Sequence, residues 1–243
     1  MEKVIHRSGS RGFSDNGWLK SYFTFSFANY YDPRRINFGA IRVLNNDTVE
    51  GGEGFKSHPH DNMEIVLIPT EGAFDHADNI GNITTVSAGE AQIISAGRGM
   101  VHNLYNHHRQ APLSYIQMWI FPREYELEPF CSKVKLAETP RGCWQPVVSP
   151  VGGEHVLRIN QNAWVYIGEM AAGTTMRYPM NLRTNGVYLF VMSGDVLIAG
   201  SELHAGDAVG LTGVDEAEIE AETDAKVLAI EVPMREWSES TED

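Results

Sequence analysis

The stretch Ile65-Val66-Leu67-Ile68-Pro69-Thr70-Glu71-Gly72 returns, altered in detail, as Val187-Tyr188-Leu189-Phe190-Val191-Met192-Ser193-Gly194. Each copy is a short apolar run closed by a glycine, the pattern of a buried strand ending in a turn. Downstream, Val86-Ser87-Ala88-Gly89-Glu90-Ala91 is matched by Leu203-His204-Ala205-Gly206-Asp207-Ala208. A β-unit repeated within one chain predicts two similar barrels in tandem. The remaining sequence agrees. Short β-branched and aromatic segments, among them 22–28, 38–44, 115–121, 164–170 and 227–232, are separated by Gly, Asn, Asp and Pro, as in an all-β sandwich or barrel. Residues 78–82 read as a hairpin turn, and only 124–135 leaves room for a turn or two of helix. The expected organisation is an N-terminal barrel over 1–122, a Pro- and Gly-containing connection over 123–150, and a second barrel over 151–243.

The first copy is preceded by His58-Pro59-His60-Asp61-Asn62-Met63-Glu64. Side chains alternate along a strand, so the even spacing of His58, His60 and Glu64 predicts that all three share one face. A Gly-rich turn in Ala96-Gly97-Arg98-Gly99-Met100-Val101-His102 is placed to return a third imidazole beside them. Three imidazoles and a carboxylate suit one mid-first-row divalent metal: iron, nickel, copper, manganese or zinc. For Glu64 the roles of fourth ligand and catalytic base stay open beside that of a buried or rim carboxylate bonded to a neighbouring backbone group or to a ligand imidazole. The repeat locates the chemistry by subtraction. Aligning its glycines sets Met180, Leu182 and Gly186 opposite His58, His60 and Glu64, and Ile219 opposite His102. None of these four is a usual metal ligand, so the metal is expected in the first barrel alone.

Composition narrows the class. The 243 residues are 42% hydrophobic and 21% charged, ordinary for a globular protein. A net charge of -13 disfavours direct nucleic-acid binding, which needs Lys and Arg against phosphates, and disfavours an anionic membrane surface. No run approaches the ~20 apolar residues of a membrane span. Met1 to Ser10 lacks an apolar leader core, so a cytoplasmic monomer is expected. Cys131 and Cys143 make no disulfide framework and read as ordinary thiols. His76, beside the hairpin turn, and His107 and His108, in a polar loop, read as solvated. Arg98 reads as a surface residue of its turn. Tyr22, Phe23, Phe25, Phe27, Tyr30 and Tyr31 read as core and inter-barrel packing, and residues 236–243 as a frayed acidic end.

Gly52, His58, His60 and Glu64, followed by Gly89, Gly97, His102 and Asn106, resemble the two cupin motifs, with the later histidine shifted by two. More specifically, the chain resembles the pirin family. The resemblance is carried by Gly17-Trp18-Leu19, Thr24-Phe25-Ser26-Phe27, Tyr31-Asp32-Pro33, Gly39-Ala40-Ile41-Arg42-Val43-Leu44-Asn45, the His-Pro-His run and Ser95-Ala96-Gly97-Arg98-Gly99. It implies two tandem cupin barrels with one metal, usually iron, in the first. The family's ligands fall on His58, His60 and His102, and its fourth, a glutamate two residues after the last histidine, falls on Leu104. Leucine cannot bind a metal. Some bacterial members degrade flavonols as quercetin 2,3-dioxygenases, and nuclear animal members are iron-dependent transcription cofactors. Two functions are therefore expected to compete. One is a dioxygenase acting on a flavonol or other enolic or catecholic small molecule. The other is a non-enzymatic metal- or redox-sensing regulator working through a protein partner, which loss of the family carboxylate would favour.

Overall fold

Alternation of apolar and polar residues, punctuated by turn glycines, builds this chain almost wholly from strands. The computed structural model describes residues 1–235, so the acidic end over 236–243 lies outside the described residues. Among the described residues there are 22 strands, one short 3-10 turn at Ser8–Ser10, and no α-helix. No helix is long and apolar enough to cross a membrane.

The duplication is visible in the sheets. In the first half, a large sheet runs in the order Phe130–Lys135, Glu90–Ser95, Glu64–Glu71, Leu113–Ile120, Ile41–Val49, Leu19–Phe23, Gly12–Asp15. Beside it lies a small sheet, Gly54–His60, Met100–Asn106, Ala73–Asp78, Ile83–Ser87. The second half repeats the pair. Its large sheet centres on Ala208–Thr212, Asn185–Ser193, Ala225–Pro233 and Trp164–Met170, and its small sheet is Thr175–Pro179, Glu216–Ala221, Asp195–Ile198, Ser201–His204. The matched glycines behave alike: Gly72 has φ 77° and Gly194 φ 80°, a region only glycine enters freely.

The expected boundaries need correction at three places. Glu2–His6 leaves the first barrel and pairs with Ala208–Thr212 of the second. Phe130–Lys135, inside the expected connection, is a strand on the edge of the first barrel rather than a helical turn. Trp144–Ser149 already pairs with Trp164–Met170 of the second. Each barrel thus has an open sheet edge covered by chain from outside its own span, and a covered edge cannot recruit another molecule's strand.

The two large sheets share one core. Phe25 packs on Tyr188 at 5.5 Å between ring centroids, and Phe38 on Tyr188 at 5.3 Å. Val187, Leu189 and Val191 alternate with these inter-barrel contacts and fill the second barrel with Met176, Tyr178 and Ile219. The repeat alignment slips here. His58 faces His102 in register as Met176 faces Ile219, so Met176 and Tyr178, not Met180 and Leu182, stand where His58 and His60 stand. The loop over 180–184 is longer than that over 61–63, and glycine alignment hides the difference. Ile219 keeps its place opposite His102. The second barrel's interior is mostly packed apolar side chains, with the buried Glu231 carboxylate accepting from Tyr178 Oη at 2.9 Å and Asn185 Nδ2 at 3.1 Å. The first barrel keeps a cavity.

Candidate metal centre

The strand Gly54–His60 points His58 and His60 to the barrel interior, and Met100–Asn106 brings His102 directly opposite His58. The three rings meet edge and face, with centroids 4.5 Å apart for His58–His102, 4.8 Å for His58–His60 and 5.1 Å for His60–His102. One ring nitrogen from each lies within 4.8 Å of the other two. His58 Nδ1 donates to the Lys56 carbonyl at 2.7 Å. A carbonyl only accepts, so the neutral ring keeps its lone pair on Nε2. His102 is 5% exposed, and neither of its nitrogens has a hydrogen-bond partner. Burial, with the neighbouring histidines adding to it, pushes His60 down to about 4 and His102 down to about 3. Near neutrality His60 and His102 are uncharged, the ring nitrogens of all three residues converge, and the buried unpartnered nitrogens of His102 fit a divalent cation.

Glu64 does not join them. Ile65 and Leu67 face the cavity, so Glu64 at the head of the same strand faces the other way. Its Oε1 accepts from Ser95 Oγ at 2.6 Å and its Oε2 from the Asn160 backbone N–H at 3.2 Å. Burial raises its pKa against these hydrogen bonds. The even-spacing argument fails because the strand is interrupted: Asn62 takes φ 47°, and its N–H turns to the Gly97 carbonyl at 2.7 Å. Glu64 ties the first barrel to the second. Leu104 is 3% exposed and lines the cavity beside the imidazoles, so an apolar group occupies the place of the family carboxylate.

The cavity above the imidazoles holds about 290 Å³. Phe23, Phe27, Phe55 and Trp119 wall it, with Phe27 edge-on to Trp119 at 5.2 Å and Trp119 edge-on to His60 at 4.9 Å. Two of the six N-terminal aromatics therefore line a ligand space, whereas Phe25 is inter-barrel core and Tyr31 is solvated. The wall also carries a carboxylate that motif reading misses. Asp47 is 3% exposed. Gln117 Nε2 donates to Asp47 Oδ2 at 3.0 Å, and Trp119 Nε1 donates to Gln117 Oε1 at 2.6 Å. Asp47 Oδ1 is buried without a partner. Burial lifts its pKa to about 6, with the Ser21, Gln117 and Tyr115 side chains holding it from rising further.

Of the remaining residues, His107 pairs with Asp75 at 2.9 Å and is half-exposed, as expected of a solvated residue. Arg98 pairs with Glu128 at 2.6 Å at the surface. His76 departs from expectation: its side chain is fully buried, with Nε2 against Asp78 Oδ2 at 3.0 Å. The signal was its place on the inner face of a strand, which hairpin-turn composition conceals.

Known proteins resemble this chain along most of its length. A family model described as Pirin matches residues 5–120, and one described as Quercetinase C-terminal cupin domain matches residues 146–232. Quercetin 2,3-dioxygenase of Escherichia coli (strain K12) is 34% identical over 229 residues, covering 94% of this chain and 98% of that protein. A pirin-like protein of Caulobacter vibrioides is 34% identical over 222 residues, covering 90% and 95%. The crystal structure of the bacterial pirin YhhW from Escherichia coli in complex with nickel(II) superposes with a TM-score of 0.90 at 33% identity, covering 96% of this chain and 100% of that one.

Proposed function

As the chain belongs to the pirin family, we propose that its first barrel is a mononuclear metal centre that oxygenates a flat enolic substrate of the flavonol type. The observation carrying this reading is the convergence of three imidazoles on the floor of an aromatic-walled cavity. His58, His60 and His102 would hold one divalent transition ion. Iron is the ion the family resemblance favours. Nickel is the ion named for the Escherichia coli structure, and an imidazole set accepts either. Such an ion supplies Lewis acidity and positive charge toward an enolate when bound.

The chain's own groups do the rest. Phe23, Phe27, Phe55 and Trp119 offer apolar faces to a flat ring system. Asp47, facing the same cavity with a pKa near 6 and one free oxygen, accepts the proton of the substrate hydroxyl, the task the family assigns to the carboxylate that Leu104 replaces. A base whose pKa sits just below the working pH is mostly ionised yet still basic enough to take a proton. Leu104 keeps the side of the cavity beside the imidazoles apolar and dry. The test is oxygen uptake by iron- or nickel-loaded protein given quercetin. Oxygen consumed in proportion to flavonol supports the reading. No uptake with either ion contradicts it and leaves the regulator that Leu104 would favour, to be sought by capture of a protein partner.

A further inference from the structure

A second group of donors lies behind the imidazole floor. His76 and Asp78 share the inner face of Ala73–Asp78, and Asp78 pairs in register with His102. Cys131 reaches them from Phe130–Lys135, the strand that crosses onto the first barrel's edge. One ring nitrogen of His76, one carboxylate oxygen of Asp78 and Cys131 Sγ all lie within 4.8 Å of one another. Three residue types with three donor elements therefore converge where the sequence offers no Cys–His spacing at all.

Hairpin geometry explains only part of this. Asp78 Oδ1 accepts from the backbone N–H groups of Ile80 and Asn82 at 3.1 and 2.9 Å, an ordinary turn role. The hydrogen bond to Asp78 fixes the His76 proton on Nε2, which leaves a lone pair on Nδ1. That Nδ1 is buried and has no partner. Gln92 repeats the pattern: Nε2 donates to Cys131 Sγ at 3.1 Å, while Oε1, on a side chain that is fully buried, has none. A buried imidazole nitrogen left without a partner is costly unless something electropositive satisfies it.

We propose that His76, Asp78 and Cys131 form a second metal site, separate from the three imidazoles, for a borderline divalent ion of the zinc class. Nitrogen, oxygen and sulfur donors together select such an ion over magnesium or calcium, which take oxygen. Burial pushes the Cys131 thiol up to about 12, so it enters protonated and releases its proton to solvent as the sulfur–metal bond forms. A surface cleft of about 290 Å³ is bounded by Asn82, Thr84, Cys131 and Lys133. The ion would clasp the crossing strand to the hairpin and close the barrel's edge.

Cobalt(II) added to the metal-free, full-length chain tests this, because a thiolate ligand gives a charge-transfer absorption that imidazoles do not. The unsubstituted chain is expected to bind one equivalent more than Cys131→Ala and to show the thiolate band. His60→Ala should lose the imidazole site and keep the band. Cys131→Ala should lose the band, and Cys143→Ala, at an exposed thiol, should keep it. A complex without the band, a band that survives Cys131→Ala, or equal stoichiometry in the two proteins would overturn the proposal. Should Cys131→Ala fail to fold, alkylation of Cys131 in the unsubstituted chain decides the matter: zinc must slow it, and an unchanged rate counts against the site. Failure of the imidazole site alone would look different, since His60→Ala would then change nothing while the band remained.

Discussion

Asp47 sits in the run Asn45-Asn46-Asp47, which carries no motif. Only the pairing of Ile41–Val49 with Leu113–Ile120, which sets Asp47 opposite Tyr115, brings it to the cavity wall. Asp47→Asn is expected to lower kcat by about 100-fold, the usual worth of a positioned base, with metal content unchanged by mass spectrometry. The unsubstituted enzyme should lose activity as the pH falls below about 6, where Asp47 takes up its proton, and the variant's residual rate should lack that limb. Stability moves the other way. The native state holds this proton more tightly than the unfolded chain. Its stabilisation is complete below the ordinary value of 3.8 and is lost as pH rises through about 6. At pH 7, Asp47→Asn should therefore unfold at higher urea, by on the order of 2 kcal/mol. His58 and His60 were legible from spacing because ligands on one uninterrupted strand obey parity, and His102 from the glycine turn that returns its strand beside them. Asp47 was not, because its partners are distant in sequence and set by sheet register.

At the scale of elements, the strand Glu64–Glu71 shows where parity stops. The His-Pro-His pair and the cavity-facing Ile65 and Leu67 obey alternation, each within its own strand. The left-handed Asn62 between the two strands resets the phase. Glu64 therefore points to Ser95 and Asn160, not to the imidazoles. Glu64→Ala leaves a buried hydroxyl and a backbone N–H unpaired and should cost about 1–3 kcal/mol in urea unfolding. Metal content should stay unchanged. Loss of the metal with the fold intact would restore Glu64 as a ligand. The crossing strands were hidden for a related reason. Glu2–His6 and Phe130–Lys135 have ordinary strand composition, and nothing local in an edge strand says which sheet it joins.

The whole molecule is one duplicated fold with unequal interiors. Repeated glycine turns made the duplication readable, although the alignment slipped at Met176 and Tyr178. The apolar packing inside the second barrel is a property of side chains meeting across it, such as Met176 with Ile219. The first barrel carries a cost for its cavity. His60, His102 and, at the inter-barrel core, His6 are all pushed down, to about 4, about 3 and about 4, chiefly by burial. The unfolded chain binds these protons from pH 6.5 downward and the native metal-free protein does not. Stability of the metal-free protein should therefore fall as pH drops from 6.5 toward 4. Asp47, between 6 and 3.8, and Glu64, whose pKa burial also raises, oppose this, two groups against three. Thermal melts across that range check the sign, and a flat profile would mean the imidazoles are solvated.

The central claim is that His58, His60 and His102 hold one transition ion. Elemental analysis of the chain purified with Cys131→Ala, so that the thiol site does not contribute, tests it most directly against the same protein carrying His102→Ala in addition. About one ion per chain is expected in the first and none in the second. Equal metal content in the two, or none in either after reconstitution with iron and with nickel, would contradict it.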